Sequence, residues 1–277
     1  MPSSKTTSKR TKPRCCGRDL VRLDMPADRR PSAERAMATD ACGVAPGARP
    51  GKAAMNEWVH LETSDVPGGG KSLALMQRGG EFSIVVGNIE LMNSTRGTSE
   101  EALASLTCAR LTGRPAPRIL IGGLGMGFTL RAALRELGPD ARIVVAELVP
   151  AVAAWARGPL ASIFAGCLDD PRVELRETDV TRLIQSEAAG WDAILLDVDN
   201  GPEGLLRRAN NRLYDEWGLK RAQWALKPGG TLGVWSGTPD RKFKARLQRL
   251  GFAVEEVRRP ASGSSGPRHV IWLATQP

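Results

Sequence analysis

The sequence predicts an α/β protein: a mostly parallel seven-stranded sheet ending in an antiparallel hairpin, preceded by a small β unit. Three observations carry this. From Arg118 onward, apolar runs alternate with helical segments. Those runs are almost continuously apolar, as strands covered on both faces must be. Finally, the last two runs, AVEEVRR and HVIWLATQ, are joined by PASGSSGPR with no helix between them, so they pair antiparallel.

The elements follow in order. Residues 56–95 read as short strands: KSLALMQ and FSIVVG flank the turn RGGE, and IELMNS follows Gly87 and Asn88. EEALASLTCARL spaces Leu103, Leu106 and Leu111 along one helix face, and GRPAP ends it. The runs RILIGG, RIVVAE, VELRETD, DAILLD and TLGVWSG supply the parallel strands, with FTLRAALREL carrying Leu130, Ala133, Leu134 and Leu137 on one stripe. The expected organisation is a disordered basic tail (1–54), a small N-terminal β-strand domain (55–97) and a nucleoside-binding catalytic domain (98–277).

Composition narrows the function. Of the net charge of +9, residues 1–52 hold +7, so the basic character belongs to a tail rich in Arg, Pro, Ser and Gly. That tail is the one segment suited to holding nucleic acid, and a solvated extension is the simpler expectation. Met55 opens the first foldable segment and is a candidate translation start. No apolar window reaches membrane-spanning length and the basic N-terminus lacks an apolar region behind it, so a cytoplasmic protein is expected. The five cysteines have no metal-ligand spacing, and His60 and His269 neighbour neither a cysteine nor a serine nucleophile in sequence. Triad hydrolases and zinc sites therefore have little to work with, and no metal is expected.

Ligands of doubly wound sheets bind outside the carboxyl ends of the strands. The first strand runs into GGLGMG, whose Gly123, Gly125 and Gly127 form GxGxG; a dinucleotide fingerprint would need glycine where Phe128 stands. The second strand ends at Glu147, where a carboxylate can accept both ribose hydroxyls, although a solvated loop residue is the alternative. The third ends at Asp179, which either binds adenine or caps the next helix. The fourth ends at Asp197, before a loop with too much glycine and proline to start a helix. Acids at three successive strand ends suit a nucleoside without phosphates. Asp199 and Asn200, before Gly201 and Pro202, fit a turn as well as a site. Trp217, Trp224 and Trp235 could wall a pocket, but their spacing favours core positions.

Together these residues resemble the spermidine synthase family, the polyamine aminopropyltransferases with the Rossmann-like class I S-adenosylmethionine methyltransferase fold. LIGGLGMGFTLR is similar to the family's glycine loop, VVAELVPAV to its ribose-binding segment, DDPRVELRETDV to its DPRV segment, and LKPGG to the stretch before the fifth strand. The resemblance implies a nucleoside sulfonium co-substrate, decarboxylated S-adenosylmethionine or S-adenosylmethionine itself, and no permanently bound cofactor. It implies Gly123, Gly125, Met126 and Gly127 around the donor's tail, Glu147 on the ribose, and Asp179 with Val180 near the adenine. Asp197 matches the family's first catalytic carboxylate, which orients and deprotonates the attacking amine. Asp199, Asn200 and Tyr214 are the candidates for binding a small-molecule amine, and a homodimer is implied.

Three positions depart from the family. Met126 and Asn200 stand where it has aspartates, and Ser99 or Glu100 stands where it has a tyrosine. Glu203 and Asp199 could compensate for the lost charge. The alternatives are therefore a methyltransferase of a small molecule or RNA, and a non-catalytic nucleoside-binding homologue.

Overall fold

A computed structural model of the chain describes residues 57–68, 71–198, 201–202, 210–263 and 265–277. The tail 1–54, Met55, Asp199, Asn200 and Glu203 lie outside the described residues.

Four strands come first: β1 (Val59–Asp65), β2 (Ser72–Arg78), β3 (Glu81–Val86) and β4 (Ile89–Asn93), paired antiparallel in that order. Alternation puts Leu73, Leu75, Phe82, Ile84 and Val86 inside. β1 is the open edge and leaves Val59 and Leu61 exposed.

The helix α1 (Thr98–Cys108) leads into a 3₁₀ turn, Ala109–Leu111, and then into the larger sheet. There follow β5 (Arg118–Gly122), α2 (Phe128–Glu136), β6 (Arg142–Glu147), α3 (Pro150–Arg157), α4 (Ala161–Phe164), β7 (Val173–Glu177), α5 (Val180–Ser186) and β8 (Trp191–Leu196). The chain continues through α6 (Asn211–Tyr214), α7 (Glu216–Ala225), β9 (Leu226–Ser236), α8 (Arg241–Arg249), β10 (Ala253–Ser262) and β11 (Ser265–Thr275). Sheet order is β10-β11-β9-β8-β5-β6-β7, with β11 antiparallel to both neighbours and the inner pairs parallel.

Both faces of this sheet are buried. Ile119, Ile121, Ile143, Val145, Ala193 and Leu195 join one core with α1, α2, α3 and the N-terminal sheet. Their strand neighbours Leu120, Val144, Ala146, Ile194 and Leu196 join a second core with α5, α7 and α8. Period-two side chains split between two apolar layers account for the continuous apolar runs. Each fully buried leucine or isoleucine contributes about 1.5–3 kcal/mol.

Three details differ from the sequence expectation. β9 begins at Leu226, because Lys227–Gly230 form an irregularity between the pairs Trp191–Leu226 and Ala193–Thr231. The hairpin β10–β11 runs on through Pro260 and Ser262, shortening the expected loop; Pro260 is tolerated because β10 is an edge strand. Trp235 is core, but Trp217 and Trp224 are exposed at 73% and 53%, on the outward side of α7. Among the described residues, no helix is long and apolar enough to cross a membrane.

Candidate functional site

After β5 the chain moves outward to β6 and β7, then returns to place β8 on the other side of β5. Loops leaving β5 and β8 therefore diverge, and a crevice opens at their carboxyl ends. A cleft of about 760 Å³, the space at its mouth included, occupies that position. Gly123, Gly125, Glu147, Asp179, Val180 and Asp197 all line it. Leu73, Ile84, Leu91 and Met92 of the N-terminal sheet form part of its wall. No lysine or arginine is among the described residues that line it.

The glycine loop is shaped by close approach. Gly123 has φ of 91°, and a Cβ there would stand 2.3 Å from the carbonyl oxygen of Asp197. At Gly125, with φ of 51°, a Cβ would come within 3.1 Å of Met92 Sδ. Side chains at these positions would combine backbone strain with contact against the cleft wall.

Glu147 anchors the loop. Its Oε2 accepts from Leu124 N at 2.9 Å and its Oε1 from Val149 N at 2.8 Å. Burial pushes this carboxyl above the ordinary glutamate value, while those N–H donors favour the charged form.

Of the two roles the sequence poses for Asp179, the structure shows the cap. Asp179 caps α5, its Oδ1 accepting from Thr181 N at 3.0 Å and from the Thr181 hydroxyl, and it lines the cleft. Val180 beside it packs toward Gly122, where a Cβ would sit 3.0 Å from its methyl.

Asp197 extends the β5–β8 pairing, its N–H donating to Gly122 O at 2.9 Å. Its Oδ2 accepts from Thr129 Oγ1 at 2.7 Å. Burial raises its pKa to about 6. Glu100, on the first turn of α1, is raised to about 8 by burial and by the charge of Asp197.

Three expected site residues are placed elsewhere. Met126 is 2% exposed in the core that includes Leu124 and Leu130, so the side chain next to cleft-lining Gly125 turns inward. Gly127 stands at the N-cap of α2, where a Cβ would meet the Phe164 ring at 2.7 Å. Tyr214 is buried edge-on against Phe243, and its hydroxyl donates to Val198 O at 3.3 Å. It supports the segment after Asp197 from beneath instead of lining the cleft.

Other contributions carried no motif. Thr129 is an ordinary first-turn threonine, and the apolar wall belongs to strands distant in sequence. His269 meets a serine distant in sequence: its Nδ1 lies 2.9 Å from Ser99 Oγ, 170 residues away. Among the described residues no group of His, Cys, Asp and Glu is arranged to hold a metal ion.

No protein-family model matches the chain. A polyamine aminopropyltransferase of Mycobacterium tuberculosis (strain CDC 1551 / Oshkosh) is 36% identical over 127 residues, 45% of this chain and 23% of that protein. One of Synechococcus sp. (strain JA-2-3B'a(2-13)) is 28% identical over 124 residues, 43% and 37% of the two chains. The matched segment thus spans well under half the length of these curated relatives. In three dimensions, spermidine synthase from Thermotoga maritima superposes with a TM-score of 0.63 at 19% identity, over 79% of this chain and 73% of that one. A probable spermidine synthase from Corynebacterium glutamicum ATCC 13032 superposes with a TM-score of 0.55 at 17% identity, over 78% and 79%. The chain is thus similar in sequence to polyamine aminopropyltransferases over the matched segment, and shares its fold with spermidine synthase over most of its length.

Proposed function

We propose that the protein transfers an aminopropyl group from decarboxylated S-adenosylmethionine to a small amine, a step of polyamine biosynthesis. The observation that carries this reading is the clustering of Glu147, Asp179 and Asp197 on one cleft free of described basic residues. Glu147 suits the ribose hydroxyls, Asp179 and Val180 the adenine edge, and the backbone at Gly123 and Gly125 the donor's tail. Asp197 orients the acceptor and takes a proton from its ammonium group. The freed nitrogen lone pair then attacks the carbon next to sulfur, and the C–S electron pair leaves on the thioether. Holding the amine in line and removing its proton supply the catalysis.

In this reading residues 55–97 wall the acceptor side and residues 98–277 form the catalytic domain. The open edge of β1, with Val59 and Leu61 exposed, is where two copies would pair. Cys108 and Cys167 are free and buried, in keeping with a reducing cytoplasm.

One observation favours a second reading. With Met126 turned into the core, the glycine loop offers no carboxylate to a donor's amino group, so S-adenosylmethionine and methyl transfer are the alternative. The test is calorimetric titration of the full chain with both donors, followed by product analysis with a panel of amines. Tighter binding of the decarboxylated donor and a lengthened polyamine are expected. A methylated product would establish the second reading, and binding without turnover would leave a nucleoside-binding homologue.

A further inference from the structure

Three side chains from two distant parts of the chain, Ser99 and Glu100 on α1 and His269 on β11, form a continuous hydrogen-bonded line. Ser99 Oγ lies 2.6 Å from Glu100 Oε2 and 2.9 Å from His269 Nδ1. Trp235 Nε1 donates to the same hydroxyl at 3.0 Å. Ser99 is fully buried, whereas His269 is half-buried and edge-on to Trp235. At the cleft end, the Thr129 hydroxyl that bonds Asp197 also lies 3.4 Å from the carbonyl oxygen of Glu100.

A serine hydroxyl has one proton and two lone pairs, and an indole N–H can only donate. Trp235 therefore occupies one lone pair of Ser99, leaving one proton and one lone pair for Glu100 and His269. Two arrangements remain. With Glu100 ionised, Ser99 donates to it and accepts from His269 Nδ1–H. With Glu100 protonated, Ser99 accepts from the acid and donates to a bare Nδ1, so that neutral His269 carries its proton on Nε2. Passing from the second arrangement to the first moves a proton from Glu100 across Ser99 to Nδ1, while Nε2 releases one to water.

We propose that Glu100, Ser99 and His269 are positioning residues forming a proton exit from Asp197 to solvent. The inference rests on the transfer reading of the site. An ammonium acceptor and a sulfonium donor bring two positive charges to the reacting atoms; the products are one secondary ammonium and a neutral thioether. One proton must leave per turnover. Asp197 receives it; Glu100 gives its own proton across Ser99 to His269, whose Nε2 releases one to water, and the emptied Glu100 carboxylate then draws the proton from Asp197.

The electrostatics run in the same direction. Burial lifts both carboxyls, and the charge of Asp197 lifts Glu100 further, so at neutral pH the pair favours a proton on Glu100 over one on Asp197. Burial lowers His269, which favours release over retention. Of the other charged groups among the described residues, Glu101 on the same turn is paired with Arg135 at 3.2 Å, and Arg259 sits opposite His269 in the hairpin register.

The chain has only two histidines, so nitrogen NMR of histidine-labelled full-length protein resolves this directly. His269 is expected to change from an Nε2–H to an Nδ1–H tautomer as pH rises through the Glu100 titration, while His60 shows no such change. Ser99→Ala and Glu100→Gln should each abolish the change. A single His269 tautomer from pH 6 to 10, or an unaltered change in Glu100→Gln, would overturn the line. In the transfer assay, Ser99→Ala and His269→Ala should lower kcat roughly tenfold or more, with donor KM unchanged, and imidazole should restore His269→Ala. Unchanged kcat in both variants would overturn the exit role even if the tautomers couple. An inert wild-type protein would instead remove the transfer reading and, with it, the reaction that the line serves; loss of coupling in an active enzyme would remove the line alone.

Discussion

Thr129 donates its hydroxyl to Oδ2 of Asp197 at 2.7 Å, tying the first turn of α2 to the end of β8 across the glycine loop. The bond favours the ionised carboxylate against the burial that raises its pKa to about 6. Asp197 must be ionised to accept a proton, so kcat/KM should rise with pH through about 6. Thr129→Val keeps the shape and deletes the donor. Its rising limb should move to higher pH, and loss of a hydrogen bond to a charged group should cost about 1.5–3 kcal/mol in kcat/KM. A pH–rate profile of the two proteins checks both.

Replacing the carboxylate itself separates chemistry from binding. Asp197→Asn cannot take the acceptor's proton and should lower kcat by roughly 10²–10⁴-fold. Donor affinity, measured by calorimetry, should change far less, because Glu147 and Asp179 are untouched.

Glu147→Gln should weaken both fold and donor binding. Both oxygens accept a main-chain N–H, and the glutamine amide can serve only one of them, setting its own N–H group against the other donor. Leaving that buried donor unpaired should cost about 1–3 kcal/mol. Chemical denaturation measures this, and titration should show donor affinity falling as well.

Stability should depend on Glu100 with a definite sign. Its folded pKa, about 8, lies above the ordinary value of 4.5, so the folded state holds the proton more tightly than the unfolded chain. The stabilisation is present below the ordinary value and is lost as pH rises toward 8. Thermal melts should therefore show Tm falling between pH 5 and about 8.5, and Glu100→Gln should flatten the decline.

Asp192, at the opposite end of β8 from Asp197, tests the scaffold without the site. It accepts from Arg114 at 2.9 Å, Lys227 at 2.6 Å and Arg118 N at 2.8 Å. Burial would raise its pKa, but these partners outweigh burial and hold it below the ordinary range. Asp192→Ala should destabilise the fold by about 1–3 kcal/mol, read by denaturation, with donor affinity in the folded protein little changed.

The strand ends were legible because each is announced locally. Apolar runs stop where the chain leaves the two cores, and the acid that follows each run is the next feature in the sequence. Glu147, Asp179 and Asp197 were found in this way. Met126 enters the expected site only through its match to a family aspartate, whereas its side chain turns inward between Gly125 and Gly127, both of positive φ. Tyr214 was chosen for its chemistry, but the aromatic ring of Phe243 and the carbonyl of Val198 hold it beneath the site.

The sequence by itself determined the α/β class, the order of its strands and helices, and the acidic character of one sheet edge, because period-two burial and glycine-bearing turns are properties of short stretches. Only the tertiary structure decided that the N-terminal strands wall the cleft, that Thr129 lies between Asp197 and the Glu100 carbonyl, and that Ser99 meets His269 across 170 residues. Those contacts depend on how α1 seats against the sheet and on the register of β9 and β11. Both are set by packing between distant segments, which no local spacing records.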